Sequence, residues 1–131
     1  MQLTLEADYA IRIITFLIEC DERVDAKKIS ENTGVTLRFS LKILRKLVSS
    51  KIVKSYKGAN GGYELNKSPS NINLLEVMES VDCHVIMNKC LEDEDMCSHP
   101  NVCHCKTRNV FLEISNDIKD KLSKATFDKL V

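Results

Sequence analysis

Residues 90–105, CLEDEDMCSHPNVCHC, hold four cysteines and two histidines, with five acidic or amide residues among them. Sulfur and imidazole at this density suit two chemistries, ligation of a soft metal centre and thiol redox exchange. Packing alone does not order such a stretch. Fixing its backbone costs about 16–30 kcal/mol, at roughly 1–2 kcal/mol per residue. Leu91, Met96 and Val102 are its large aliphatic side chains, and each returns about 1.5–3 kcal/mol when buried. Thiolates gathered on a metal contribute on the order of 10 kcal/mol, enough to change that balance.

The spacing narrows the choice. Six residues separate Cys90 from Cys97, five separate Cys97 from Cys103, and one separates Cys103 from Cys105. No C-x-x-C pair occurs, and structural zinc sites favour such tight pairs. An iron-sulfur cluster accepts wider spacing, because several iron atoms each take a ligand from a loop wrapped around an inorganic core. Zinc and free thiols remain the alternatives. Cys20 reads as a small core residue and Cys83 stands near a helix end, while His84 and His99 read as surface histidines.

A chain of 131 residues with 44% hydrophobic content fits one domain, or one compact domain carrying an appendage, and its core needs no disulfide staples. The N-terminus carries acidic residues and Arg12 within its apolar periodicity, unlike a signal peptide, and no apolar run reaches about 18 residues. These features predict a cytoplasmic protein with reduced thiols. The net charge of zero conceals segregation: residues 22–67 hold eleven Lys or Arg against four acids, and the flanks carry the compensating negative charge. A basic block in a neutral protein predicts a polyanion partner at that block.

The elements that position this block follow from periodicity. Residues 8–20 read as an amphipathic helix, with Ala10, Ile13, Ile14, Leu17 and Ile18 at helical spacing. Asp25 caps a short helix over 25–32, Gly34 breaks it, and Thr36 caps a longer basic helix whose apolar stripe reads as Leu37, Leu41, Leu44 and Val48. A short helix, a glycine turn and a basic helix form a helix-turn-helix, whose second helix enters the DNA major groove. The period then changes to two. Ile52–Tyr56 and Gly62–Leu65 read as strands of a hairpin wing, with Lys54, Lys57 and Asn60 at its basic end. A helix over 73–82 follows, and after the cysteine segment a long helix from about Thr107 to Lys124. The stripe of that last helix, Phe111, Ile114, Ile118 and Leu122, suits pairing with a second copy, and the final FDKLV is apolar enough to dock.

The expected fold is therefore mostly α with a small β wing, a winged helix-turn-helix domain plus a long C-terminal dimerisation helix. Residues 1–82 would form the DNA-binding domain, 83–106 the cysteine-rich cluster-binding loop, and 107–131 the dimerisation helix and tail. Base readout falls to Thr36, Arg38, Phe39, Ser40 and Lys42 at the start of the second helix, Arg38 being suited to guanine because its fork can bond two acceptors. Arg45, Lys46, Lys54 and Lys57 suit phosphates. Phe39 and Leu41 are nevertheless expected to be core. No nucleophile-base pair or phosphate-binding glycine loop is present, so no catalytic residues are assigned and no enzymatic activity is expected.

With these features placed, the chain resembles the bacterial winged-helix regulators of the IscR, NsrR and CymR type. The likeness runs through LTLEADYAIRII, the stretch from AKKISENTGVTLRFS to MESVD, the wing phrase GANGGYEL, and a cysteine loop followed by a long helix. The resemblance implies a homodimer on a pseudo-palindromic operator. In members with three loop cysteines it also implies an iron-sulfur cluster, [4Fe-4S] or [2Fe-2S], whose state controls DNA binding. By position the ligands match Cys90, Cys97 and Cys105, the last because an aromatic residue, Phe111, follows six positions later. IscR-like members place a histidine where this chain has Arg108. NsrR-like members use an aspartate from the first helix of the other subunit, which matches Asp8. Cys103 or His104 could replace Asp8, and Cys103 could displace Cys105. The expected function is a transcription regulator, in the repressor sense, sensing nitric oxide, oxygen or iron-sulfur status. The alternative is the same fold working as a thiol-disulfide switch without a cluster.

Overall fold

The computed structural model describes residues 2–93, 95, 97–98, 100 and 105–131. Helix α1 (Leu5–Cys20) opens on Thr4, whose hydroxyl accepts the Ala7 N–H at 3.2 Å. It starts earlier than its apolar pattern indicates, because Leu5 points outward and the buried stripe begins only at Ala7. Helix α2 (Ala26–Thr33) is capped by Asp25, which accepts the Lys28 N–H at 2.8 Å. Gly34 ends it at φ 73, a left-handed conformation that glycine adopts without steric cost. Thr36 caps helix α3 (Leu37–Ser49) through the Phe39 N–H.

The buried face of α3 differs from the expected stripe. Ser40, Ile43, Leu44 and Leu47 face the core, while Leu37 and Leu41 are 47% and 40% exposed. The helix is turned by one residue, about 100° at 3.6 residues per turn. The sequence offers two adjacent apolar stripes sharing Leu44. Docking against α1 and α2 selects the one that buries Ile43 and Leu47, because it also seats Phe39 edge-on against Tyr9, with ring centroids 5.6 Å apart.

Strands β1 (Val53–Tyr56) and β2 (Gly62–Leu65) pair antiparallel, in the register Val53 to Leu65 through Tyr56 to Gly62. Val24 joins the far edge of β2 as a bridge to Tyr63, with N–H···O distances of 3.0 and 2.7 Å. That approach explains Gly62: at φ 147, a Cβ there would lie 2.6 Å from the Val24 carbonyl oxygen. A two-stranded hairpin is marginal alone, and here it is anchored to the segment between α1 and α2.

Asn73 caps helix α4 (Leu74–Ser80) by accepting the Glu76 N–H at 2.9 Å. Helix α5 (Lys106–Lys124) packs Ile118 and Leu122 on the core but leaves Val110, Leu112 and Ile114 exposed. The tail then turns back as expected. Phe127 is buried, its N–H on the Ile72 carbonyl at 3.0 Å, and Thr126 bridges to Asn73. Among the described residues there are five α-helices and one two-stranded sheet. None of these helices is long and apolar enough to cross a membrane.

Candidate nucleic-acid interface and cysteine segment

The one-residue turn of α3 decides what its outer face presents. Leu37, Arg38, Phe39, Leu41, Lys42 and Arg45 line a shallow open groove on the solvent side of the helix. Arg38, Lys42 and Arg45 are exposed. Ser40 is not: it is fully buried, and its hydroxyl donates to the Val35 carbonyl at 3.3 Å. It faces the core rather than a groove, because it falls on the same stripe as Ile43 and Leu47. Phe39 is half-buried against Tyr9, Leu41 is exposed, and the exposed Thr36 uses its hydroxyl as the α3 cap.

On the wing, Lys54, Lys57 and Asn60 are exposed. A residue that the sequence did not single out holds the wing tip. The Arg23 guanidinium lies 3.3 Å from the Tyr56 ring centroid, and its Nη1 donates to the Asn60 carbonyl at 3.2 Å. The Tyr56 hydroxyl donates to Glu64 Oε1 at 2.6 Å. Arg23 is remote in sequence from both contacts, and no local pattern announces them.

A second unanticipated group ties α1 to α3. Lys42 Nζ donates to Glu6 Oε1 at 2.6 Å, Lys46 Nζ to Glu6 Oε2 at 3.0 Å, and Lys46 Nζ also to Asp82 Oδ2 at 3.1 Å. The hydrogen bond from Lys42, then that from Lys46, holds the Glu6 carboxyl below its usual pKa. The same contacts, Glu6 before Asp82, raise that of the Lys46 ammonium.

The cysteine segment is fastened to the fold at its start and its end. Cys83 and Val85 are buried, and the Met87 N–H donates to the hydroxyl of Ser115, a buried residue of α5, at 3.2 Å. Cys105 caps α5: its Sγ accepts the Arg108 N–H at 3.4 Å, while Arg108 Nε donates to the Cys90 carbonyl at 3.4 Å. Arg108 thus brings the backbone of Cys90 and the thiol of Cys105 to one helix end. Cys90, Cys97 and Cys105 are all half-buried. Asp8 lies on the first turns of α1, paired with Arg12 at 2.8 Å. Cys103, His104 and His99 lie outside the described residues. Among the described residues, no three His, Cys, Asp or Glu side chains gather closely enough to hold a metal ion.

The donor set nevertheless fits the group that the sequence points to. Three half-buried cysteines on one segment supply the soft sulfur that iron-sulfur clusters take. An N–H aimed at Cys105 Sγ is the hydrogen bond by which a protein stabilises negative charge on a ligating sulfur. Asp8 would have to share or release Arg12 in order to ligate.

Comparison with known proteins places these features in context. A family model described as Rrf2, iron-dependent transcriptional regulator, matches residues 3–131. The HTH-type transcriptional regulator IscR of Pectobacterium carotovorum is 29% identical over 133 residues, spanning 100% of this chain and 79% of its own length. The regulator NsrR of Bacillus licheniformis is 29% identical over 96 residues, 72% of this chain and 67% of its own. Among solved structures, CymR, the global cysteine regulator of B. subtilis, superposes with a TM-score of 0.77 at 20% identity, covering 99% of this chain and 95% of that one. T. potens IscR does so at 0.74 and 19% identity, covering 99% and 85%.

Proposed function

The chain belongs to the Rrf2 family of transcriptional regulators, and from that premise we propose a homodimeric repressor that binds operator DNA and responds to nitric oxide, oxygen or iron-sulfur status. The observation that carries the DNA half is the exposed cationic face of α3, Arg38, Lys42 and Arg45, beside a wing presenting Lys54, Lys57 and Asn60. Arg38 reads guanine, with Thr36 and Phe39 beside it. Arg45, Lys46, Lys54 and Lys57 meet phosphates.

The sensing half rests on Cys90, Cys97 and Cys105 as ligands of an iron-sulfur cluster, with Asp8 of the partner subunit as the fourth. An oxygen ligand is the labile one in a sulfur-rich site, and the bound group supplies reactivity toward nitric oxide and oxygen. The chain's own residues supply the linkage. Asp8 stands one residue from Tyr9, which packs on Phe39 of α3, so a change at the loop reaches the DNA-facing helix through α1. As a DNA-binding regulator, the protein acts in the cytoplasm, where DNA and reduced thiols coexist.

An effector shifts an equilibrium by its differential affinity for the two states. Operator affinities of the metal-loaded and metal-stripped dimers therefore differ by about 5- to 150-fold. Equal affinities across a salt series would remove the switching claim.

A second reading is favoured by the place of Cys105, whose sulfur accepts an N–H at a helix N-terminus, a setting in which reactive cysteines are found. Here two thiols lose two electrons and two protons to peroxide, which leaves as two waters, and a disulfide forms between Cys103 and a partner cysteine. Colourless protein whose DNA binding responds to peroxide and recovers with a thiol reductant marks this case.

A further inference from the structure

We propose that Glu6 and Asp82 act as an internal substitute for DNA phosphate, holding Lys42 and Lys46 and so limiting the positive charge that α3 offers to a DNA backbone. The inference rests on the DNA-binding reading above and deepens it by assigning positioning roles to two acidic residues outside α3 and the wing. Lys42 and Lys46 stand one helical turn apart, where like charges repel. The Glu6 carboxylate sits between them and gives one oxygen to each ammonium, at 2.6 and 3.0 Å. Those distances lie close to the roughly 2.7–2.9 Å at which a charged amine meets an anionic oxygen, a phosphate oxygen included.

The group has an inner and an outer part. The Glu6 and Lys46 side chains are 22% and 29% exposed, whereas Lys42 is 54% and Asp82 76% exposed. The outer contacts are open to exchange with an incoming phosphate, and Glu6 with Lys46 forms the sheltered anchor. Asp82 is aimed by a formed turn. It adopts φ 60, its N–H donates to the Glu79 carbonyl at 3.1 Å, and the following Cys83 N–H donates to the Met78 carbonyl at 3.0 Å. Because Asp82 directly precedes the cysteine segment, any shift that unwinds this turn withdraws one of the two carboxylates from Lys46.

The test is a salt series of binding to a mixed-sequence duplex, read by fluorescence anisotropy on the full-length chain. Each lysine freed to meet a phosphate adds about 0.9 to the magnitude of the slope of log affinity against log salt. Glu6→Gln therefore steepens the slope by about 1–2 units and raises affinity at 0.1 M salt by about 8- to 60-fold, the factor those slopes give between 1 M and 0.1 M. Glu6→Asp falls between wild type and Glu6→Gln. In a Lys46→Met background the Glu6→Gln effect shrinks to the Lys42 share. Equal slopes for wild type and folded Glu6→Gln overturn the proposal. Should Glu6→Gln lose its folded signal, Glu6→Asp carries the test, since its shorter side chain draws the carboxylate back from both ammoniums, and an unchanged slope there overturns the proposal too. A wild-type chain without salt-dependent DNA binding would instead sink the DNA-binding reading, and this proposal with it.

Discussion

Cys105 closes the N-terminus of α5 with its sulfur, which accepts the Arg108 N–H at 3.4 Å. One thiol thereby serves as a helix cap and, in the cluster reading, as a ligand, and the two roles separate on substitution. Serine caps helices at least as well as cysteine but lacks the sulfur. Cys105→Ser is expected to keep the stability of the metal-free protein, read from thermal melts, within about 0.5 kcal/mol of wild type, while bound iron falls toward zero. Full retention of iron and sulfide in that variant would move the third ligand to another residue.

Arg38 and Arg45 share the exposed face of α3 but are assigned different work. Arg38→Ala should cost about 1–3 kcal/mol on the operator and relax preference at one base pair, as loss of a bidentate guanine contact does. Arg45→Ala should weaken specific and mixed-sequence DNA alike and reduce the salt slope by about 0.9. Operator titrations against single-base variants check both. An Arg38→Ala chain that loses affinity uniformly, with no change in base preference, would place Arg38 on phosphate.

Gly62 and Gly34 both have positive φ, and their surroundings rank them. A Cβ at Gly34 meets nothing within 4 Å, so Gly34→Ala carries only the backbone penalty, about 1–2 kcal/mol. At Gly62 the added carbon also meets the Val24 carbonyl, at 2.6 Å, and Gly62→Ala must break the bridge that anchors the wing. Thermal melts should place Gly62→Ala clearly below Gly34→Ala. Equal midpoints would mean that the Val24 bridge contributes little to holding the wing.

What the sequence made legible was local. Asp25, Gly34 and Thr36 are punctuation whose effect reaches three or four residues, and they fixed α2, the turn and the start of α3. The wing was readable because its period changes and its glycines cluster. The face of α3 was not readable: Leu37, Leu41, Leu44 and Val48 compete with Ile43, Leu44 and Leu47, and only docking chooses. That choice buried Ser40. Long-range contacts left no pattern either. Val24 on Tyr63, Arg23 on Tyr56, and Glu6 on Lys42 and Lys46 join residues that tertiary structure alone brings together. The Thr4 cap is local yet stays hidden in the pattern, because the exposed Leu5 that follows it lies outside the apolar stripe that marks α1.

The central claim is that Cys90, Cys97 and Cys105 hold an iron-sulfur cluster. The most direct measurement is the visible spectrum of anaerobically purified protein, with its iron, sulfide and zinc content. Broad absorption near about 400 nm, with iron and sulfide in comparable amounts, is the predicted result, and Asp8→Ala should then weaken retention of the cluster. Colourless protein that also resists reconstitution with iron and sulfide would contradict the claim and leave the thiol switch, or zinc if zinc were found, as the sensing chemistry.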